Sequence, residues 1–171
     1  MAYKLNPGDN MYSVSKIFKC SIAERNWMKG EPDAYIRGRD LYDFTVMNPE
    51  FQIHGHSMYI KVTIEGKTLD DIGFVIDTDV VKELMKDKVN SLDHTFLIHN
   101  KDPIFRHIYE LSKTNKIKLY VTDYVISYEN VSKDIYDYCS SKLKEHNFDK
   151  FARVKSINVY TQTIGGSYCE D

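Results

Sequence analysis

The feature that most constrains the fold is a segment of alternating apolar and polar residues at 51–65. Its apolar side chains share one parity and predict a β-strand with one buried face. They are Met58, Ile60, Val62 and Ile64. His54 and His56 have the same parity, so the strand would place both imidazoles on the apolar face, about 7 Å apart at the backbone. Two neutral ring nitrogens at this spacing can bind one zinc ion, and the alternative is a pair of hydrogen-bonded strand histidines.

Length and composition favour a single globular domain. A chain of 171 residues can bury a substantial core, and its 42% apolar and 28% charged content is ordinary for a water-soluble protein. The formal net charge of -2 gives no reason to expect a nucleic-acid or membrane-surface partner. The sequence has neither a long apolar run nor a signal-peptide pattern, so it predicts a cytoplasmic protein with reduced cysteines.

The periodicity of the remaining chain predicts an α+β protein with an antiparallel sheet and helices on one face. A first strand at 12–24 carries Glu24 on its apolar parity, and residues 25–49 form an insertion or long loop. Asp77 or Thr78 can cap a helix that ends near Asn90. The later elements are a short helix at 104–111, a strand at 117–125, a long helix at 129–146 and a strand at 153–163.

Short motifs at three places carry a resemblance to a known family. They are His54-Gly55-His56, Leu92-Asp93-His94 and Glu129-Asn130. Their order and spacing resemble the 6-pyruvoyltetrahydropterin synthase family, which includes the 6-carboxytetrahydropterin synthases of the queuosine pathway. The resemblance covers most of the chain, from about residue 12 to residue 168. From these motifs the chain is identified as a diverged member of that family.

The resemblance implies a tunnelling fold, in which a four-stranded antiparallel sheet carries two helices on one face and oligomerisation closes a barrel. Members usually form homo-oligomers, hexamers of two trimers, with active sites at subunit boundaries. The implied partner is a small molecule, 7,8-dihydroneopterin triphosphate, and the implied cofactor is zinc, acting as a Lewis acid. The implied activity is that of a carbon–oxygen lyase in pterin or deazapurine biosynthesis, by triphosphate elimination or side-chain cleavage.

The resemblance also implies which residues bind the metal. His54 and His56 match the two zinc ligands of the family's HGH motif. The family's first ligand is a histidine at the end of strand one, and Glu24 occupies that position here. Two histidines and one glutamate form a known catalytic zinc set with an open fourth position. The alternative is that Glu24 is only a polar residue at a strand end.

The implied catalytic residues are Glu50, Asp93 and His94. Asp93 would orient the ring of His94, and the pair would move protons. Glu50 lies four residues before His54, where bacterial members have a cysteine base. A carboxylate is a weaker base than a thiolate unless burial raises its pKa. Some members with a nearby glutamate are thought to cleave the side chain to a hydroxymethyl pterin, and the alternative is that Glu50 is a solvated loop residue.

Gln162 and Thr163 are the implied contacts to the pterin ring. The family anchors the ring with a glutamate on the last strand, whose carboxylate can accept from both ring donors. A glutamine offers one acceptor and one donor, so one pairing becomes donor against donor and costs about 1–3 kcal/mol if buried. An enzyme for another small heterocycle therefore stays open as an alternative to a pterin lyase. The combined absence of the thiol, the first histidine and the anchor carboxylate also leaves a non-catalytic binding module open.

Overall fold

The computed structural model describes residues 11–27 and 52–170, in which six strands form one sheet and three helices flank it. The strands are β1 (Tyr12–Glu24), β2 (His54–Gly66), β3 (Thr95–His99), β4 (Leu119–Thr122), β5 (Arg153–Tyr160) and β6 (Gly165–Tyr168). The helices are α1 (Thr78–Leu92), α2 (Phe105–Asn115) and α3 (Tyr128–Glu145), and Phe148–Lys150 forms a 3-10 turn. The order across the sheet is β4-β3-β1-β2-β5-β6. No helix in these ranges is long and apolar enough to cross a membrane.

The antiparallel pair of β1 and β2 forms the centre of the sheet. Met58, Ile60, Val62 and Ile64 are buried, as the alternation predicts, and Thr63 near the end of β2 is buried as well. The register pairs Glu24 with His54 and Ile22 with His56. The carboxyl end of β1 and the amino end of β2 therefore meet at one edge of the sheet, and both predicted strands are confirmed.

The sheet is mixed and has six strands in the described chain, so the prediction of a four-stranded antiparallel sheet is wrong. β3 pairs in parallel with both β1 and β4. All residues of β3 are buried, which removes the alternation that identified β1 and β2. β6 begins with Gly165 and Gly166, a pair that predicts a turn because glycine is unfavourable in strands.

The described chain has three helices rather than the two expected of the fold. α1 packs on β1, and α3 packs on β5 and β6. α2 connects the parallel strands β3 and β4, which need a crossover, and it has no buried residue. The predicted cap of α1 is confirmed, because the Asp77 carboxylate accepts from the backbone N–H of Asp79. Ser127 caps α3 in the same way through the N–H of Asn130.

Two of the cysteines belong to the hydrophobic core between the sheet and the helices. Cys20 lies on β1 and Cys139 on α3, and both are buried. Burial raises the pKa of both thiols to about 12, so they stay protonated and act as small apolar side chains. Cys169 is free and exposed.

A partly buried polar cluster joins α1, β4 and α3. Lys88 Nζ donates to Asp134 Oδ1 at 2.8 Å, and the hydroxyls of Tyr120 and Tyr124 donate to Asp134 Oδ2 at 2.5 and 2.7 Å. Burial alone would raise the pKa of Asp134, but these three hydrogen bonds hold that pKa below its ordinary value. The ionised carboxylate therefore balances the charge of the buried Lys88.

Replacing Asp134 with alanine is expected to lower the free energy of unfolding by about 3 kcal/mol, because Lys88 would remain buried without a counter-charge. The stabilisation by Asp134 is present above the pKa of an unfolded aspartate and is lost as the pH falls through the lower folded pKa. Urea unfolding at neutral pH measures the effect of the substitution, and its comparison with unfolding at about pH 3 measures the effect of protonation. The control Asp137→Ala removes an exposed pair with Lys133 and should change the unfolding free energy by less than about 0.5 kcal/mol. Equal losses in both variants would contradict this assignment.

Candidate active site

Three side chains of types that can bind a metal ion converge where β1 ends and β2 begins. Glu24 Oε1 lies 3.0 Å from His56 Nε2 and 3.6 Å from His54 Nε2. The two imidazole centroids are 5.8 Å apart. One donor atom from each of the three residues lies within 4.8 Å of the others, so a single ion could reach all three. The structure thus brings the three predicted ligands together, while their role as ligands stays a prediction.

The orientation of His54 is suited to metal binding. Its Nδ1 lies 3.0 Å from the carbonyl oxygen of Gln52, which can only accept a hydrogen bond. Nδ1 therefore carries the hydrogen, and in the neutral ring Nε2 carries the lone pair that faces Glu24. Two acceptors that face each other repel, and a cation between them satisfies both. His56 Nδ1 is buried without a hydrogen-bond partner in the described chain, so its Nε2 can either donate to Glu24 or bind an ion.

The charge of Glu24 also fits a cation. Its side chain is 8% exposed, and in the described part of the chain it makes no ion pair with a lysine or an arginine. The neighbouring Arg25 pairs with the buried carboxylate of Asp102 instead. Burying a carboxylate is unfavourable unless its charge is compensated. A divalent ion held by Glu24 and the two imidazoles would supply that compensation.

Asp93 and His94 form a hydrogen-bonded pair between α1 and β3. Asp93 Oδ2 lies 2.9 Å from His94 Nδ1, and Asp93 Oδ1 accepts from the backbone N–H of Ser21 at 2.8 Å. The bond from Ser21 and then the bond from His94 hold the pKa of Asp93 below its ordinary value. His94 has a φ of 52°, a left-handed conformation that is unfavourable for a residue with a Cβ and occurs often at functional sites. Its side chain is 80% exposed, so its Nε2 can meet a ligand.

The Asp93–His94 pair does not contact the three metal-ligating residues within the described chain. It joins β1 at Ser21, three residues before Glu24, which is about 10 Å along a strand. Ser21 pairs with Ser57 across the sheet, on the face opposite His56. The pair therefore lies near the candidate metal site, without a hydrogen bond or ion pair to it in the described chain.

Gln162 and Thr163 lie in the turn between β5 and β6, not on a strand as predicted, because β5 ends at Tyr160. Both are exposed. The backbone N–H of Thr161 donates to the carbonyl of Ile164 at 2.7 Å and closes the turn. The two predicted pterin contacts are thus presented to solvent at the tip of a hairpin.

The structure adds Tyr128, Glu129 and Gly166 to the site. The ring of Tyr128, at the start of α3, lies 6.2 Å from the ring of His56. A Cβ on Gly166 would lie 2.8 Å from the backbone nitrogen of Glu129 and 2.9 Å from the Cβ of Tyr128. The hairpin of β5 and β6 can therefore pack on the start of α3 only because position 166 is glycine. Glu129 was part of a motif, but no sequence signal indicated that α3 and the hairpin meet beside the histidines.

Replacing Gly166 with alanine is expected to lower the free energy of unfolding by about 1–3 kcal/mol, because the added Cβ overlaps the backbone at the start of α3. Thermal or urea unfolding measures the change. The control Ser167→Ala alters the next, exposed residue and should stay within about 0.5 kcal/mol of the unmodified protein. A Gly166→Ala variant as stable as the unmodified protein would show that the hairpin does not pack as described.

Two predictions lie outside the described residues. Glu50, the implied base, is not among the residues that the structure describes. Of the predicted insertion at 25–49, only residues 25–27 are described. Both stay predictions.

Comparison with known proteins gives one consistent family. Residues 14–165 match the family model described as 6-pyruvoyl tetrahydropterin synthase. The 6-carboxy-5,6,7,8-tetrahydropterin synthase of Aquifex aeolicus is 27% identical over 162 residues, which cover 94% of this chain and 99% of that protein. The enzyme of the same name from Bacillus subtilis is 31% identical over 77 residues, covering 45% of this chain and 51% of its own length.

Solved structures share the fold. An uncharacterized protein from Wolinella succinogenes superposes with a TM-score of 0.72 at 17% identity, covering 95% of this chain and 100% of its own. A Plasmodium vivax 6-pyruvoyltetrahydropterin synthase with a substituted catalytic residue superposes with a TM-score of 0.66 at 12% identity, covering 95% and 99%. The family model, the sequence relatives and the shared fold agree with the motifs of β2, of the α1–β3 junction and of α3. The chain therefore belongs to the 6-pyruvoyl tetrahydropterin synthase family, a family of lyases of pterin biosynthesis.

Proposed function

We propose that this protein is a zinc-dependent carbon–oxygen lyase that acts on 7,8-dihydroneopterin triphosphate. The observation that carries the proposal is the convergence of Glu24, His54 and His56 at one edge of the sheet, in a chain of this family. Two imidazoles and a carboxylate are a donor set that zinc accepts in catalytic sites, with a further position left for the substrate. The small heterocyclic substrate agrees with the relatives named 6-carboxy-5,6,7,8-tetrahydropterin synthase.

Glu24, His54 and His56 would hold the ion, and the Nδ1–H of His54 would stay on the carbonyl of Gln52. When bound, zinc polarises the oxygens of the substrate side chain and acidifies the neighbouring C–H bonds. The hydrogen bond between His54 Nδ1 and the carbonyl of Gln52 fixes the ring orientation of His54, so the site is partly organised before the ion arrives.

Asp93 and His94 would exchange a proton with the substrate side chain. The carboxylate of Asp93 accepts from His94 Nδ1, which leaves Nε2 as the proton-exchanging atom on an exposed ring. The backbone N–H of Ser21 holds the other carboxylate oxygen, so Asp93 cannot rotate away from the imidazole. This arrangement positions and polarises a general acid–base catalyst.

Glu50 would act as the base that removes a side-chain proton. In the elimination, the C–H electron pair forms a carbon–carbon double bond as the carbon–oxygen bond to the triphosphate breaks, and the triphosphate leaves with that bond's electrons. The Plasmodium vivax structures include variants in which a glutamate described as a catalytic residue is replaced. A carboxylate base is therefore compatible with this fold, and side-chain cleavage is the other reaction that such a base could start.

Gln162 and Thr163 would contact the heterocycle from the hairpin tip. Because Gln162 is exposed, its amide can turn either its oxygen or its nitrogen toward a ligand. The amide can match a pterin through one donor and one acceptor, but it cannot accept two hydrogens through two oxygens as a carboxylate does. This difference favours, as a second candidate, a lyase for a related heterocycle with a different donor pattern.

The functional unit would be a cytoplasmic homo-oligomer, a hexamer of two trimers. Within the described chain, the exposed Asp93–His94 pair makes no hydrogen bond or ion pair with Glu24, His54 or His56, which is compatible with the pair completing a pocket of a neighbouring subunit. Light scattering of the purified protein measures the assembly. A monomer that turns over substrate at full rate would contradict a pocket that is shared between subunits.

The test is to combine purified protein, zinc and 7,8-dihydroneopterin triphosphate and to follow the products by mass spectrometry. We expect a pyruvoyl, carboxy or hydroxymethyl pterin, which also decides between elimination and cleavage. Bound zinc without turnover of this substrate would favour the other heterocycle. Failure to bind zinc, together with no turnover, would favour a non-catalytic module.

A further inference from the structure

The metal-ligating set contains one hard ligand, and it is the most buried of the three. Glu24 has an exposed side-chain fraction of 8%, against 30% for His54 and 21% for His56. Its Oε1 faces both Nε2 atoms, at 3.0 and 3.6 Å, so any ion between the imidazoles also meets the carboxylate. No thiol takes part in this set among the described residues. The ion would therefore experience two borderline nitrogen ligands and one charged oxygen.

The type of ligand decides which divalent ion a site prefers. Binding to imidazole is weaker for manganese than for iron, cobalt and zinc, whereas carboxylates suit hard ions such as manganese. Replacing one imidazole of a three-imidazole site by a carboxylate thus reduces the advantage of zinc over manganese, iron and cobalt. Two histidines and one carboxylate with open positions form the set that holds Fe(II) in non-haem oxygenases.

We infer that Glu24 determines the metal preference of this site and broadens it, so that the protein binds Mn(II), Fe(II) and Co(II) as well as zinc. The inference deepens the proposed function and rests on it only for the position of the metal site. The local structure supports it because Glu24 is fixed by the β1–β2 register opposite His54. The carboxylate is therefore positioned before any ion binds, and it contributes to the binding of each of them.

The experiment measures metal affinity directly. Chelator-stripped protein is titrated with Zn(II), Co(II) and Mn(II) in competition with a chromophoric chelator of known affinity, and the ratio of zinc to manganese affinity is compared between variants. In Glu24→His we expect this ratio to rise about tenfold or more, because a third imidazole restores the advantage of zinc. An unchanged ratio in a folded Glu24→His variant would overturn the inference.

Two further variants keep the test decisive. Glu24→Gln retains the size and an oxygen donor but removes the charge, so we expect manganese affinity to fall more than zinc affinity. If the bulkier imidazole of Glu24→His prevents folding, which circular dichroism detects, Glu24→Gln is the variant that decides the test. Equal losses for both ions in Glu24→Gln would also overturn the inference. The matched control Glu83→His makes the same change on the exposed surface of α1 and should leave the ratio unchanged.

The failure of this inference and the failure of the proposed function appear in different assays. An active zinc lyase whose ratio of zinc to manganese affinity is the same in the unmodified protein and in Glu24→His would remove the inference alone. The expected shift of the ratio in a protein without lyase activity would remove the proposed reaction and keep the inference.

Discussion

Replacing His56 with alanine is expected to eliminate stoichiometric metal binding and to reduce turnover of 7,8-dihydroneopterin triphosphate by about 10³-fold or more. The variant loses one of three converging donors, and the ion supplies several kcal/mol of transition-state stabilisation in reactions of this kind. Elemental analysis and product formation by mass spectrometry measure the two effects.

The matched control is His107→Ala, which removes an exposed histidine of α2. Its metal content and turnover should equal those of the unmodified protein. Because His56 also lies on β2, its replacement could disturb the sheet, so circular dichroism of both variants verifies the fold. A folded His56→Ala protein with full metal content would show that the three donors do not form the site.

Replacing Asp93 with asparagine is expected to reduce kcat by about 10²- to 10⁴-fold while metal content stays constant. The carboxylate accepts two hydrogen bonds, from Ser21 and from His94. An asparagine that keeps its oxygen on the Ser21 N–H presents its NH₂ group to His94 Nδ1. The imidazole must then carry its hydrogen on Nε2, so the proton-exchanging atom has the wrong protonation state.

The control for this prediction is Asp137→Asn, an exposed change of the same kind on α3. It should leave kcat unchanged. Metal content distinguishes this variant from His56→Ala. His56→Ala loses the ion, whereas Asp93→Asn keeps the ion and loses only the catalytic tautomer of His94. An Asp93→Asn enzyme with normal kcat would show that His94 does not exchange protons in the rate-limiting step.

The convergence of Glu24, His54 and His56 could be predicted from strand alternation together with the family resemblance, which indicated Glu24 as the third ligand. Alternation placed each residue on the apolar face of its strand, and consecutive strands usually pair. The register that sets Glu24 opposite His54 is a finding of the structure, because antiparallel pairing alone does not fix which residues lie opposite each other. The motifs at Asp93–His94 and Glu129 were equally local, and the family that they indicated is confirmed.

The parallel half of the sheet could not be predicted in the same way. β3 is buried on both faces, so its sequence contains neither alternation nor helical periodicity. The packing of Gly166 on the start of α3 depends on two segments separated by more than thirty residues, and no periodicity reports such a contact. The position of Gln162 followed from the end of β5, and strand ends are the least predictable feature of a strand.

The pairing of Glu24 with His54 has an evolutionary consequence. Backbone hydrogen bonds between β1 and β2 hold the three side chains at their spacing. Insertions and deletions in the segment between the two strands would leave that register in place, so the length and content of this segment can diversify. Glu50, the proposed base, belongs to that segment, so the proposed base can change between lineages while the proposed metal site is kept.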